Sequence, residues 1–380
     1  MEPETADVLA VALNDPLRVR QPAAGTITGW GSALPSTVIS NADLEKRLDT
    51  TDAWITTRTG IRQRCVGGSV SSLAVEAGRA AIAAAGIEPA EIGLLVLATS
   101  TPDRVLPATS ATVHQQLGLG GGAFDLNAVC AGFVYALLVG HGAVSTGMGN
   151  VLVIGADCFS GITDPNDRST AVLFADGAGA IVLEPGGEGA LYGFDLGVDG
   201  TGYDLLTCPQ GGFISMEGAE IFRRAVRVTE ASALVALDRA GVEPSEIALF
   251  VPHQANLRII EAAASRLGIG AERTAIVLDR TGNTSAASIP MALAAAADAG
   301  RLHSGDYVLF SGFGAGMTWA SAVVRWGAGD RSPGLGMIGG RGGPREGGGQ
   351  SSALYSYSNT DDNGRDNGQD NGVPGAPRSK

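Results

Sequence analysis

At 380 residues, 44% of them hydrophobic, the chain can bury a large core and has room for two domains or one duplicated domain. A formal net charge of -13 argues against general nucleic-acid binding, though it leaves room for a local basic patch, and no apolar run is long enough to span a bilayer. Cys65, Cys130, Cys158 and Cys208 stand far apart with no CxxC pair, which points away from a disulfide framework or a zinc site and toward a reducing cytoplasm.

Residues 1–24 carry Glu2, Glu4, Asp7 and Asp15 and lack the basic start and apolar run of a secretory signal. The stretch QPAAG sets them off from the first strand-like run, TITGWGSAL, so they read as an N-terminal extension. A repeat follows. AGIEPAEIGLLV, starting at Ala85, returns as AGVEPSEIALFV, starting at Ala240, an offset of 155 (240 − 85) with eight of twelve positions identical. FDLNAVCAGF lies opposite LDRTGNTSAAS, aligned by Asp125 and Asp279, and NVLVIGAD lies opposite DYVLFSGF. Three matches in nearly one register predict a duplication, with one half at 25–190 and the other at 191–327.

Each half reads as an alanine-rich helix stopped at Gly86 or Gly241, then a buried strand, LLVLA or ALFVP. A second short strand then enters a helix of small residues: AFDL before CAGFVYALLVG, and IVLD before SAASIPMALAAAA. Ligands of open α/β sheets gather beyond the carboxyl ends of strands, so equivalent loops of the two halves are expected to face one cleft. From Ala328 the chain turns to GGRGGPREGGGQ and NTDDNGRDNGQDNG, and 328–380 is expected to be a disordered, glycine-rich polar tail.

The chemistry-bearing residues fall at these strand ends. Cys130 is either a small buried hydrophobe or a thiol whose pKa a helix N-terminus lowers for attack on a thioester. His253 in VPHQAN and Asn283 in RTGNTSAAS are suited to donate two hydrogen bonds to an oxygen that becomes negative, and the Gly314-Ala315-Gly316 turn offers backbone amides. Taken singly, His253 beside Pro252 also reads as a structural histidine, Asn283 after Gly282 as turn chemistry, and GFGAG as close packing. What joins them is their place at homologous strand ends opposite the half that carries the cysteine.

Together DAWITTRTGIRQR, FDLNAVCAGF, FADGAGA, VPHQANLRII, LDRTGNTSAAS and FGAGMTW resemble ketoacyl synthase III from about Gly25 to Trp326. The resemblance implies a duplicated thiolase-like αβαβα five-layered α/β fold, a homodimer, and decarboxylative condensation of an acyl-CoA with malonyl-acyl-carrier protein in fatty acid or polyketide synthesis. By motif, Cys130 would take the acyl group, His253 and Asn283 would stabilise the enolate, and the amides of Cys130 and Ala315 would form the oxyanion hole. Trp54, Arg58, Arg168, Gly218 and Asn256 would hold coenzyme A, although Ala219 in MEGAEIF departs from the usual small-Gly-Asn pattern. Leu106 in VLPATS is the candidate for the acyl pocket. Arg223, Arg258 and Arg266, with Arg224 and Arg227 beside them, would receive the acidic carrier protein; they also read as a solvated helix face. No metal or cofactor is called for.

Two other functions fit the same pattern: an acyltransferase that passes the group to an alcohol or amine without condensation, and a non-catalytic partner subunit. The His253 and Asn283 pair argues against the first and Cys130 against the second. Hydroxymethylglutaryl synthases share the fold but need a carboxylate near the thiol, and none stands beside NAVCAG.

Overall fold

The same helix stop opens both halves. Helices Val70–Ala85 and Gly218–Ala240 end on left-handed glycines, Gly86 at φ 73° and Gly241 at φ 65°, whose amides return to carbonyls of the last turn. Each then makes a 3-10 turn, Pro89–Glu91 or Pro244–Glu246, closed by a reciprocal glutamate capping box, and enters a buried strand. The sequence repeat is therefore a repeat of local structure down to its caps.

The structure, a computed structural model, describes residues 23–327. The expectations for residues 1–22 and for the 328–380 tail fall outside the described residues. In chain order the strands are β1 Ala23–Ala24, β2 Thr26–Ala33, β3 Thr37–Ser40, β4 Gln63–Val66, β5 Ile92–Ala98, β6 Gly122–Leu126 and β7 Asn150–Cys158. They continue with β8 Asp176–Glu184, β9 Ala190–Val198, β10 Leu206–Thr207, β11 Ser215–Met216, β12 Ile247–Pro252, β13 Tyr307–Gly314 and β14 Thr318–Arg325. Two five-stranded sheets result, β2-β8-β7-β5-β6 and β1-β9-β14-β13-β12. In the first, β5 runs parallel to β6 and β7; in the second, β12 runs parallel to β13, and the remaining pairs are antiparallel.

Helices Gly132–Ser145 and Ser288–Asp298 fill the space between the sheets. Phe133, Leu137, Ile289 and Leu293 share one core with Val96 and Val153 of the first sheet and with Val308 and Phe310 of the second. Val70–Ala85 covers the outer face of the first sheet, and Gly218–Ala240 and Leu257–Arg266 that of the second. The order is helix, sheet, helix, sheet, helix: the five-layered αβαβα fold that the sequence predicts.

Two boundaries move. Ala23 and Ala24, assigned by sequence to the extension, pair with Leu191 and Ala190, and the chain crosses between sheets from Glu184 to Ala190. The strand expected at IVLD is absent: residues 275–277 have no ladder, and Leu278–Thr281 is a short helix. Gln254, fully buried, takes the ladder's place. Its Nε2 donates to the Ala275 carbonyl (3.1 Å) and its Oε1 accepts from the Val277 amide (2.9 Å), while the Ala275 amide makes a single bond to Phe250 O of β12 (2.8 Å).

Candidate active site

Two strained corners meet between the sheets. In the first half, Val129–Ala131 forms a 3-10 turn that runs into Gly132–Ser145; in the second, Ser285–Ala287 runs into Ser288–Asp298. Val129 at φ 49° and Ser285 at φ 51° are the two non-glycine residues with positive φ among the described residues. The corners correspond at an offset of 156 (285 − 129), two more than the aspartates Asp125 and Asp279 give. The slip falls where β6 has no counterpart.

Cys130 sits on the first corner, 4% exposed, with Sγ 3.3 Å from Ser285 Oγ of the second. Burial pushes its thiol up to about 12, and the nearby Asp157 carboxylate adds to the rise. The thiolate expected from the helix dipole is therefore not the resting form. Removing the sulfur from water outweighs the dipole, and the thiol must lose its proton during the reaction.

His253 ends β12, and its amide donates to Ser311 O of β13 (2.8 Å). Its ring is 2% exposed and packs edge-on against Phe313, with centroids 5.4 Å apart. Burial pulls its pKa down to about 3, so the imidazole is neutral. Its Nδ1 lies 2.7 Å from Ser288 Oγ, which also accepts from the Gln254 amide at 3.2 Å. In the tautomer in which the Ser288 hydroxyl donates to Nδ1, the ring proton lies on Nε2. Asn283 is set in a similar way: its Oδ1 accepts from the Ser285 amide (3.0 Å), which leaves Nδ2 as a donor without a partner among the described residues. Cys130, His253 and Asn283 line one cavity of about 570 Å³. One thiol and two neutral N–H donors from opposite halves thus face a common space.

Residues 124–200 match the 3-oxoacyl-[acyl-carrier-protein] synthase III family, and residues 237–326 match its C-terminal part. A β-ketoacyl-[acyl-carrier-protein] synthase III of Roseiflexus castenholzii is 49% identical over 326 residues, 80% of this chain and 98% of that protein. The chain belongs to this family. A synthase III of Streptomyces coelicolor is 47% identical over 80% of this chain and 97% of its own length. Among solved structures, the Aquifex aeolicus synthase III superposes with a TM-score of 0.78 at 42% identity, covering 80% of this chain and all of that one. A priming β-ketosynthase of a polyketide pathway superposes at 0.77 with 36% identity, covering 83% of this chain and 99% of that one.

The other residues singled out from the sequence divide into those the cavity collects and those it does not. Trp54, Arg58, Gly218, Arg223, Asn256 and Arg258 line it. Trp54 rides on a helix, Asp52–Thr59, capped by Thr51, and two guanidiniums lie over its ring: Arg58 at 4.5 Å and Arg168 at 4.9 Å from its centroid. Arg168 is held there by its bond to Asp49 O (2.7 Å). Asn256 has both ends of its amide in use, Nδ2 to Arg58 O and Oδ1 as the cap of Leu257–Arg266. Gly218 opens its helix without a side-chain cap, and Ala219 beside it lines the cavity.

Ala315 lines a neighbouring cavity of about 430 Å³, with Val129, Phe159 and Leu206. It is Gly314 that abuts the Cys130 amide: a Cβ there would come within 2.8 Å of the nitrogen. Leu106 is 83% exposed and reaches neither cavity within one subunit. Arg266 also lies off the cavity, paired with Glu230 at 2.6 Å, and Glu220 binds both Arg223 and Arg224. The basic face is thus partly neutralised by its own helix.

Sequence reasoning passed over Ser285, Ser288, Gln254 and Asp157. Ser288, three positions after Ser285 in a stretch otherwise read for its asparagine, gave no separate signal. Asp157 did, as the acid that closes the apolar run VLVIGA at a strand end. It puts a carboxylate in the electrostatic field of Cys130, although none adjoins NAVCAG in sequence. That carboxylate is fully buried and does not line the cavity, so it cannot act on substrate directly.

Proposed function

We propose that this protein joins an acyl-CoA starter to malonyl-acyl-carrier protein by decarboxylative Claisen condensation, giving a 3-oxoacyl-carrier protein that opens fatty acid or polyketide synthesis. The supporting observation is how the two donor residues are held. Local bonds to Ser288 and to the Ser285 amide fix His253 Nδ1 and Asn283 Oδ1, and both residues line the cavity that holds the Cys130 thiol, which suits His253 Nε2–H and Asn283 Nδ2–H as its donors.

In the first half-reaction the Cys130 sulfur attacks the acyl-CoA carbonyl, a C–S bond forms, and coenzyme A departs. The oxygen that becomes negative is placed against the Cys130 amide, with the Ala315 amide as its second donor. In the second, the malonyl thioester loses carbon dioxide, and the enolate oxygen takes the hydrogen bonds of His253 and Asn283. A neutral histidine suits this task, because it stabilises the enolate without protonating the carbanion. The carbanion then attacks the acyl carbonyl, and the Cys130 sulfur leaves. The scheme asks for no metal or prosthetic group.

Trp54, with Arg58 and Arg168 over its ring, would hold the adenine end of coenzyme A, and Gly218 and Asn256 would flank the pantetheine arm. The second cavity, walled off from the first by Leu206, would take the acyl chain, with Leu106 contributed across a homodimer. Arg223, Arg258 and Arg266 would meet the carrier protein.

Separate assays of the two half-reactions test the reading. His253→Ala and Asn283→Ala should still form the acyl-enzyme but release carbon dioxide from malonyl-carrier protein roughly 10² to 10³ times more slowly, about 2.7 to 4 kcal/mol. Cys130→Ala should give no acyl-enzyme yet keep some decarboxylation. If the wild type transfers acyl groups to an alcohol or amine and never releases carbon dioxide from a malonyl donor, the acyltransferase takes the place of the condensing enzyme.

A further inference from the structure

Asp157 closes β7 at the carboxyl end, where it is fully buried. Its Oδ1 accepts from Thr99 Oγ1 (3.1 Å), the Ser100 amide (2.7 Å), and both the amide (3.2 Å) and hydroxyl (2.9 Å) of Thr101. Its Oδ2 accepts from the Ala286 amide at 3.1 Å, on the second corner. Among the described residues no cation is paired with it; its charge is carried by N–H and O–H donors, one of them the Ala286 amide in the turn that leads into the helix Ser288–Asp298. A carboxylate kept this dry costs stability if its only task is to join two loops, because neutral side chains could do the same.

What singles it out is the neighbour of Ala286. The Ser285 hydroxyl touches the Cys130 sulfur at 3.3 Å, the next residue's amide binds Asp157, and the Ser285 hydroxyl lowers the Asp157 pKa against the burial that raises it. A hydroxyl hydrogen turns about its own C–O bond, so the Ser285 oxygen can take a proton on one side and give one on another. Ser285 is held at φ 51°, in the left-handed region that a non-glycine residue rarely adopts, with its hydroxyl against the sulfur.

We infer that Ser285 and Asp157 form a proton relay for the Cys130 thiol. The inference rests on the reading that Cys130 is acylated, and it supplies the step that reading leaves open: where the thiol proton goes. When the sulfur attacks, its proton passes to Ser285 Oγ, and the Ser285 proton passes to Asp157 Oδ2. The Sγ–C bond forms, the C–S bond to coenzyme A breaks, and the departing thiolate is protonated by water. Asp157 holds the proton through the life of the acyl-enzyme. When condensation breaks the Sγ–C bond, the proton returns through Ser285 to the sulfur and the enzyme regains its starting state; the proton on the released coenzyme A is the one that the overall reaction takes from solvent.

The electrostatics agree in direction. Burial holds the Asp157 carboxyl above its usual range, and its negative charge opposes ionisation of Cys130. Moving the proton from thiol to carboxylate removes that repulsion. The titratable groups facing Asp157 are Cys130 and Cys158; Asp176, which lies near Cys158, is bound to Ser160. Ser285 is thus a catalytic residue in contact with the reacting sulfur, and Asp157 is a positioning residue that acts through it.

Ser285→Gly tests the relay, because glycine accepts φ 51° and keeps the amide that binds Asn283 while deleting the hydroxyl. Acyl-enzyme formation with an acyl-CoA would be followed by rapid quench and intact mass from about pH 6 to 10, alongside the melting temperature. The variant should fold, acylate roughly 10²-fold more slowly near pH 7, and gain rate steeply with pH as solvent takes over deprotonation. Asp157→Asn, which keeps the shape and loses the proton acceptor, should shift the profile in the same direction. A wild-type rate and profile in Ser285→Gly would overturn the relay, and so would a slowing by one constant factor at every pH, which marks a purely steric role. If the wild type itself is acylated by no acyl-CoA, it is the condensing reading that falls.

Discussion

The Val129–Ala131 and Ser285–Ala287 corners have the same backbone and carry opposite chemistry. Each begins on a left-handed non-glycine residue, makes one 3-10 turn and feeds a buried helix, and each is pressed by a strand of the other half. Gly312 of β13 lies against Cys130 and Ala131; Gly155 of β7 lies against Ala286 and Ala287. Only the side chains differ. The first corner presents a thiol, the second a hydroxyl with Asn283 two residues before it. Duplication has supplied two copies of a scaffold that aims a residue at the centre of the molecule, and the division of labour lies in which residue each copy aims.

The reciprocal packing is not equally tight, and this sets the largest effect expected on stability. A Cβ on Gly155 would sit 2.3 Å from the Ala286 carbonyl oxygen, a backbone atom that cannot step aside. On Gly312 the closest atoms are Ala131 Cα at 3.0 Å and the terminal methyl of Ile289 at 3.2 Å. Gly155→Ala should therefore cost about 3 kcal/mol, the upper end of the usual overpacking range, and Gly312→Ala about 1 kcal/mol. Denaturant midpoints at constant m-value measure both. Equal losses would mean that the two halves yield alike and that the asymmetry carries no weight.

A smaller effect lies in the bonds that aim the donors, which exist only in the second half. Ser288→Ala frees His253 to carry its proton on Nδ1, which turns a lone pair toward the enolate oxygen. Losing one such hydrogen bond is worth about 1 kcal/mol, so decarboxylation should slow roughly fivefold to tenfold, while Cys130 acylation is unchanged. The pH response separates this from loss of structure. His253 titrates near 3 in the fold, against about 6.5 when unfolded. Between those values the unfolded chain binds the extra proton, so stability should fall as pH drops from about 6.5 toward 3, by up to about 1.4 kcal/mol per unit. His253→Ala should flatten that slope, and Ser288→Ala should leave most of it.

The parts of this arrangement legible in the sequence were those that repeat or punctuate. The twelve-residue match at Ala85 and Ala240 located two helix stops and two strands because glycine at a C-cap and glutamate-proline at a 3-10 turn are local devices. Cys130, His253 and Asn283 stood out by lying at the same strand ends. The missing strand at IVLD was hidden because its hydrogen bonds go to Gln254, far away in sequence. The state of the thiol was misjudged for a related reason: the dipole is local and readable, whereas burial and Asp157 come from elements packed on afterwards. Ser285 looked like ordinary loop composition, since only the fold puts it at φ 51° beside the sulfur.

The outer helices also set the halves apart, by their charge. Val70–Ala85 in the first half carries a single basic residue, Arg79, which is exposed. Its counterpart Gly218–Ala240 carries Arg223, Arg224, Arg227 and Arg239, and Leu257–Arg266 adds Arg258 and Arg266. If the acidic carrier protein is drawn to the second half, charge reversal should follow position rather than number. Arg258 lines the cavity and lies over the Phe222 ring at 5.2 Å, with no carboxylate partner among the described residues, whereas Arg266 is bound to Glu230 outside it. Arg258→Glu should raise the apparent KM for malonyl-carrier protein about tenfold and Arg266→Glu about threefold; Arg79→Glu should have no effect. Acylation by acyl-CoA, which needs no carrier protein, should be spared throughout. The differences should shrink as salt is added, since the Debye length falls from about 10 Å at 0.1 M to about 3 Å at 1 M. An equal response to Arg79 and Arg258 would show that only net charge matters, and the carrier protein would then have no preferred half.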